Sequence, residues 1–177
     1  MSGEKKLVIF CSASYDIDPV YNQAAREVVR AACLQGYTIV SGGAVKGTMG
    51  VVADEVKAVG GRHIGVLPQY MAEFKYPDLD ELIWTDTMAE RKHIMRDDAD
   101  VAIALPGGIG TLDELIETQV LAKLGRYNGK IYALNLNGFY NPLKKLFDHY
   151  TETEMLTPED KGLVVFTDSV EELVRHL

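Results

Sequence analysis

Two short stretches of the 177-residue chain concentrate the residue types that can carry chemistry. The first, Pro106-Gly107-Gly108-Ile109-Gly110-Thr111-Leu112-Asp113-Glu114, brings together glycines, a hydroxyl and two carboxylates. Glycines let the backbone approach a ligand closely, and a helix opening behind them offers unpaired N–H groups to an anion. The spacing Thr111-x-x-Glu114 also fits a capping box, so Thr111 is expected to cap that helix while the loop before it cradles a phosphate. Glu114 would then stand at the third helical position, where the positive end of the helix favours its ionised form. Such a carboxylate suits stabilising a developing positive charge and orienting a water molecule. The second stretch is Glu90-Arg91-Lys92 with Met95. Arg91 carries a guanidinium fork suited to a phosphate or a carboxylate. Helical spacing puts Met88, Arg91 and Met95 on one face, where a buried Arg91 needs an anion or Glu114 as its partner. Lys92 projects elsewhere and is the weaker candidate, a supporting or phosphate-side contact.

Residues 41–50 (SGGAVKGTMG) form another glycine-rich turn. A P-loop requires Gly-Lys-Ser/Thr in that order, and here the order is Lys46-Gly47-Thr48. The dinucleotide fingerprint fails too, because Asp113 occupies the position of a small residue and would repel a pyrophosphate. His63 and His93 read as structural, Asp97, Asp98 and Asp100 as a solvated helix end, and the aromatics of 127–140 as packing. Cys11, at a strand end, reads either as a pocket wall or as core.

These residues must be positioned by alternating strands and helices. Apolar runs predict strands at 5–11, 37–40, 63–67, 81–84, 101–105, 130–135 and 163–166. Helical periodicity and capping signals predict helices at 20–35, 51–59, 87–97, 112–124, 141–150 and 169–176, with Asp18, Asp86 and Asp168 as caps and 68–80 irregular. The alternation implies right-handed crossovers: an α/β fold, one doubly wound Rossmann-like domain over residues 1–177 with a mainly parallel sheet. In such sheets ligands bind beyond the carboxyl ends of the strands, so the turns at 11–14, 41–50 and 106–111 should converge at one edge.

Composition narrows the partners. Lys and Arg number 18 against 26 Asp and Glu, a net charge of −8, which argues against nucleic acid and anionic membranes but permits a local phosphate site. Cys11 and Cys33 have neither the spacing nor the company of a zinc site or a disulfide framework. No apolar run approaches about 18 residues, and the polar residues 1–6 precede no signal-peptide core. A cytoplasmic protein without metal is the expectation.

Beyond these readings, the chain resembles a known family over nearly its whole length. Residues 106–114 (PGGIGTLDE) are similar to the PGGxGTxxE signature of the LONELY GUY (LOG) family of cytokinin-activating phosphoribohydrolases. Arg91, Lys92 and Met95 resemble its RKxxM segment, 41–50 its GGGxxGLMG loop, residues 10–14 (FCSAS) its FCGSS turn, and 122–143 its strand-and-helix tail. The resemblance implies a cofactor-free homodimer that cleaves a nucleoside 5′-monophosphate to free base and ribose 5-phosphate. It also implies Glu114 and Arg91 as catalytic residues. Ser14, Gly42, Gly43, Gly47, Met88, Lys92, Gly107, Gly108, Ile109, Gly110 and Thr111 are the candidate substrate and phosphate contacts. The departures, Ser12, Ala13, Ser41, Thr48, Ala89, Asp113 and Thr118-Gln119-Val120, bear on base specificity rather than on phosphate handling. Two other classes stand beside this one. One is a non-catalytic carrier of a nucleotide or phosphorylated cofactor, and the other is the lysine decarboxylase label that such sequences have carried, which demands pyridoxal phosphate.

Overall fold

The computed structural model describes residues 4–177; residues 1–3, the start of the polar stretch, lie outside them. The strands are β1 (Lys6–Phe10), β2 (Thr38–Ser41), β3 (His63–Pro68), β4 (Glu81–Thr85), β5 (Val101–Ala104), β6 (Lys130–Leu134) and β7 (Val164–Thr167). They form one sheet in the order β4-β3-β2-β1-β5-β6-β7, and every neighbouring pair is parallel. The helices are α1 (Pro19–Leu34), α2 (Gly47–Ala58), α3 (Met88–Arg96), α4 (Ile109–Lys123), α5 (Asn141–Glu152), α6 (Pro158–Lys161) and α7 (Val170–Val174).

Strand periodicity sorts the core into two layers. Leu7, Ile9, Ile39, Leu67 and Ile103 point to one face and pack with Ala24, Ala25, Val28 and Ala32 of α1 and Val52 and Val56 of α2. Val8, Phe10, Val40, Val66, Ala102 and Ala104 point to the other, against Met95 of α3 and Leu115 of α4. Central strands covered on both faces read as unbroken apolar runs, which is why they were legible.

Several element ends differ from expectation. α2 starts four residues early, at Gly47, and absorbs the second half of the glycine-rich stretch. α4 starts three residues early, at Ile109, so Gly108 is its N-cap and no side chain caps it. The cap of α3 is Thr87, not Asp86: Thr87 Oγ1 accepts from the Glu90 N–H, and the Glu90 carboxylate accepts from the Asp86 N–H. Ser169, not Asp168, caps α7 in the same manner, with Glu172 reaching back to the Asp168 N–H. Within 68–80, where the sequence pattern predicts irregular chain, Gln69–Phe74 forms a 3₁₀ segment, and α6 is a further helix that the pattern does not predict.

Candidate active site

The chain moves outward from β1 to β4 on one side and then returns to lay β5 along the other side of β1. Beyond the carboxyl ends of β1 and β5, at this reversal, lies a cavity of about 370 Å³. The three turns at 11–14, 41–50 and 106–111 do converge there. Ser12 O accepts from the Thr48 N–H at 3.0 Å, and Phe10 O accepts from the Leu105 N–H at 2.9 Å. Ser14, Gly42, Met88, Arg91, Lys92, Gly108, Ile109, Gly110, Thr111 and Glu114 all border the cavity, with Cys11 among them.

The other three candidates, Gly43, Gly47 and Gly107, stand behind the wall and serve the fold. A Cβ on Gly43 would come within 3.0 Å of Gly65 Cα, and one on Gly47 within 2.5 Å of Ser14 O, both at positive φ. A Cβ on Gly107 would overlap the Thr111 side chain. Gly108 and Gly110 differ: neither has positive φ, and a Cβ on either would meet nothing within 4 Å. No described residue requires glycine there, and the space beside both is open.

The two helix starts at the cavity are not equivalent. At α2 the Thr48 N–H is taken by Ser12 O, and the Met49 and Gly50 N–H groups by Lys46 O. At α4 the first turn is open, since its earliest backbone bond runs from the Leu112 N–H to Gly108 O at 3.1 Å. Thr111 stands third in the helix, so its hydroxyl cannot cap; it is buried and unpartnered. The expected capping box at 111–114 is therefore absent, and Glu114 lies sixth in α4 rather than third.

Glu114 is 9% exposed and Arg91 6%. Arg91 Nε donates to Val66 O at 2.9 Å and Nη2 to Gly42 O at 3.2 Å, with Met88 Sδ 3.9 Å from Nη1. The backbone carbonyls fix the guanidinium plane, and Arg91 faces Glu114 without a direct ion pair. Burial pushes the Glu114 carboxyl up to about 7, opposed by the attraction of Arg91. This reverses the expected preference for the ionised form, because loss of water outweighs a helix end now more than one turn away. Burial likewise raises the Cys11 thiol far above its ordinary range, which leaves it protonated.

Pattern reading missed the remaining lining. Met49 and Met71 join Met88 and Met95 on the apolar side, and Ser12, Ala13 and Asp113 complete the rim. Met71 sits at a kink of the 3₁₀ segment, whose end at Phe74 accepts from the Val45 N–H of the glycine-rich turn, while Tyr76 just beyond it donates its N–H to Gly43 O. A lone methionine in an irregular stretch carries no periodic signal. A larger cavity, about 580 Å³, lies at the opposite, amino-terminal end of the sheet around Asp97–Asp100 and Arg126–Gly129. It has no open helix start. Among the described residues no cluster of His, Cys, Asp and Glu could hold a metal ion.

Residues 49–177 match the family described as "possible lysine decarboxylase". A Mycobacterium tuberculosis protein named cytokinin riboside 5′-monophosphate phosphoribohydrolase is 36% identical over 99% of this chain and 94% of its own length. An Arabidopsis thaliana protein of the same enzyme name is 34% identical, over 98% of this chain and 81% of its own. The chain belongs to the LONELY GUY (LOG) family. Among solved structures, the molybdenum cofactor binding protein of Rippkaea orientalis superposes with a TM-score of 0.75 at 21% identity, covering 99% of this chain and 96% of that one. At that identity the likeness speaks for the fold alone. In LOG terms, the PGGxGTxxE signature supplies the open start of α4 together with Glu114, and the RKxxM segment supplies Arg91 and Met95 from α3. The two signatures meet across the cavity.

Proposed function

We propose that this chain hydrolyses the N-glycosidic bond of an adenine nucleoside 5′-monophosphate, with or without an N6 substituent, to free base and ribose 5-phosphate. The observation that carries the reading is a desolvated carboxyl, Glu114, facing a fixed guanidinium, Arg91, beside an uncapped helix start at a sheet reversal. The names of the 31–36% identical relatives support it.

On this reading the 5′-phosphate sits on the N–H groups of Ile109, Gly110 and Thr111 and on the Thr111 hydroxyl, in the space that Gly108 and Gly110 leave. The ribose then lies toward Glu114 and the base along the methionine wall. Cleavage of the C1′–N bond builds positive charge on the ribose, which ionised Glu114 stabilises. Water adds its oxygen at C1′ and gives one proton to Glu114, the departing base nitrogen takes up one proton from solvent water, and Glu114 returns its own to solvent, so that one water is consumed in all. With the carboxyl at about 7, the rate should rise with pH through neutrality.

Pyridoxal phosphate does not fit the cavity. Lys92, the lysine bordering it, hydrogen-bonds Asp113 and Glu117, which raises its affinity for its proton. A Schiff-base lysine needs the reverse. A homodimer is part of the proposal. α4 exposes Ile109 (87%), Leu112 and Val120 along one side, and its C-cap Leu124 (62%) extends this apolar stripe, which a second copy would cover. The free thiols Cys11 and Cys33 support a reducing, cytoplasmic setting. No helix among the described residues is long and apolar enough to cross a membrane.

The test is release of free base from adenosine 5′-monophosphate and from its N6-isopentenyl derivative, followed by chromatography. The wild type should release base from at least one, and Arg91→Ala should lower both monophosphate binding and turnover. Tight binding with no release from either would overturn the hydrolase reading and leave a carrier.

A further inference from the structure

Three cationic side chains of α3 face three carboxylates of α4. Lys92 Nζ lies 2.9 Å from Asp113 Oδ2 and 3.1 Å from Glu117 Oε2. Arg96 Nη1 lies 2.9 Å from the same Glu117 oxygen and 3.0 Å from the Lys92 carbonyl. Arg91 and Glu114 form the third rung, the one left open across the cavity. The Lys92 side chain is only 15% exposed, while its partners Asp113 and Glu117 stand partly in solvent. The charges that act on Glu114 are few. Asp113 and Glu117, on its own helix, oppose its ionisation, while Arg91 and Lys92, from α3, favour it. The other titratable group facing it is the protonated Cys11 thiol at the end of β1.

Lys92 borders the cavity, yet its ammonium is committed to α4. Binding a phosphate would require it to release one of two carboxylates, and each carboxylate left alone would then stand beside Glu114 and beside the incoming anion. We propose that Lys92 is a positioning residue for the hydrolysis proposed above. By clamping Asp113 and Glu117 it offsets the two negative charges flanking Glu114 and holds the turn of α4 from which Glu114 meets the cavity. The inference rests on the phosphoribohydrolase reading for its rate consequences only; the ionisation of Glu114 can be followed without substrate.

The variants Lys92→Met, Lys92→Arg and Asp113→Asn test it. The readouts are the pH dependence of kcat, KM for adenosine 5′-monophosphate, and NMR titration of the Glu114 side-chain carboxyl in the unliganded protein. Lys92→Met should move the Glu114 midpoint upward by on the order of one pH unit, which lowers kcat roughly tenfold at pH 6 and little at pH 9. Asp113→Asn, an exposed change compatible with folding, should move the midpoint the other way, and Lys92→Arg should restore it. KM should stay within about twofold throughout. A Lys92→Met protein whose KM rises at every pH while the Glu114 midpoint stays put would make Lys92 a phosphate ligand and overturn the proposal. Midpoints unmoved in both Lys92→Met and Asp113→Asn would reduce the ladder to a tether and overturn it as well. Should the wild type release no base from any monophosphate, the hydrolase reading fails, while the NMR midpoints still decide the role of Lys92.

Discussion

Replacing Glu114 with Gln should stabilise the protein at alkaline pH while disabling it. In the folded chain the carboxyl titrates at about 7, against an ordinary value of 4.5. Between those values the folded state holds a proton that the unfolded chain has already lost, so the Glu114 contribution to stability falls as pH rises through the window. At about 1.4 kcal/mol per tenfold change in proton affinity, the full displacement is roughly 3 kcal/mol. Gln carries no charge at any pH and escapes this loss. Whatever fixed cost its buried amide brings is the same at pH 5 and pH 8, so it cancels when the variant is compared with wild type at both. For a chain of this size 1 kcal/mol moves Tm by about 2–4 °C. The Tm of Glu114→Gln minus that of wild type should therefore grow by about 6–12 °C, most of it between pH 5 and pH 8. Thermal unfolding followed by circular dichroism at half-unit pH steps measures it. Base release by the same samples should be down by about 10²–10³. A Tm difference that ignores pH would show that the carboxyl is not held desolvated. A difference that shrinks with pH would mean that Arg91 dominates and the acid sits below its ordinary value.

Two other perturbations are as direct. Gly110→Ala places a methyl where no protein atom lies within 4 Å, at a helical position; stability should rise by about 0.5–1 kcal/mol, while the methyl obstructs monophosphate binding by on the order of tenfold or more. Equal or tighter binding by that variant, measured by calorimetry, would place the phosphate elsewhere. His63, buried with Nε2 2.8 Å from Ser41 Oγ and Nδ1 unpartnered, is pulled by burial down to about 4 from 6.5. The unfolded chain takes up that proton first, so about 3 kcal/mol should be lost as pH falls from 6.5 toward 4. Urea unfolding of His63→Phe should show a flatter pH dependence over that window, and parallel slopes would refute the assignment.

The strands, their order of appearance and the convergence of the turns were legible because the buried central strands are mainly apolar and most strands have a glycine or proline close to one end. The helix starts were less so. The pattern Ser/Thr-x-x-Glu occurs at 87–90, 111–114 and 169–172, besides 151–154 at the very end of α5 where no helix begins. It caps at the first and third, where an Asp precedes and lends its N–H to the reaching glutamate. It fails at 111–114, where Gly108 already opens the helix and leaves Thr111 inside. That slip of three residues moved Glu114 from the helix tip into the protein and reversed the direction of its ionisation. Pairing of Lys92 with Asp113 and Glu117 was beyond reach, since it depends on how two helices lie against each other.

The reversal at β1 has a consequence for how the protein comes together. β1 is hydrogen-bonded to β2 on one side and β5 on the other, and its register with β5 joins Val8 to Ala102. Closing a loop that long is entropically costly, and such pairing is slow to form. The cavity exists only once this seam is shut, since Cys11 comes from one side of it and Glu114 from the other. A bound monophosphate would then act as a clasp on the seam. It should slow amide exchange in β1 and β5 more than in the edge strands β4 and β7, and a chain cut in the loop before β5 should recover its cavity only when both pieces are mixed.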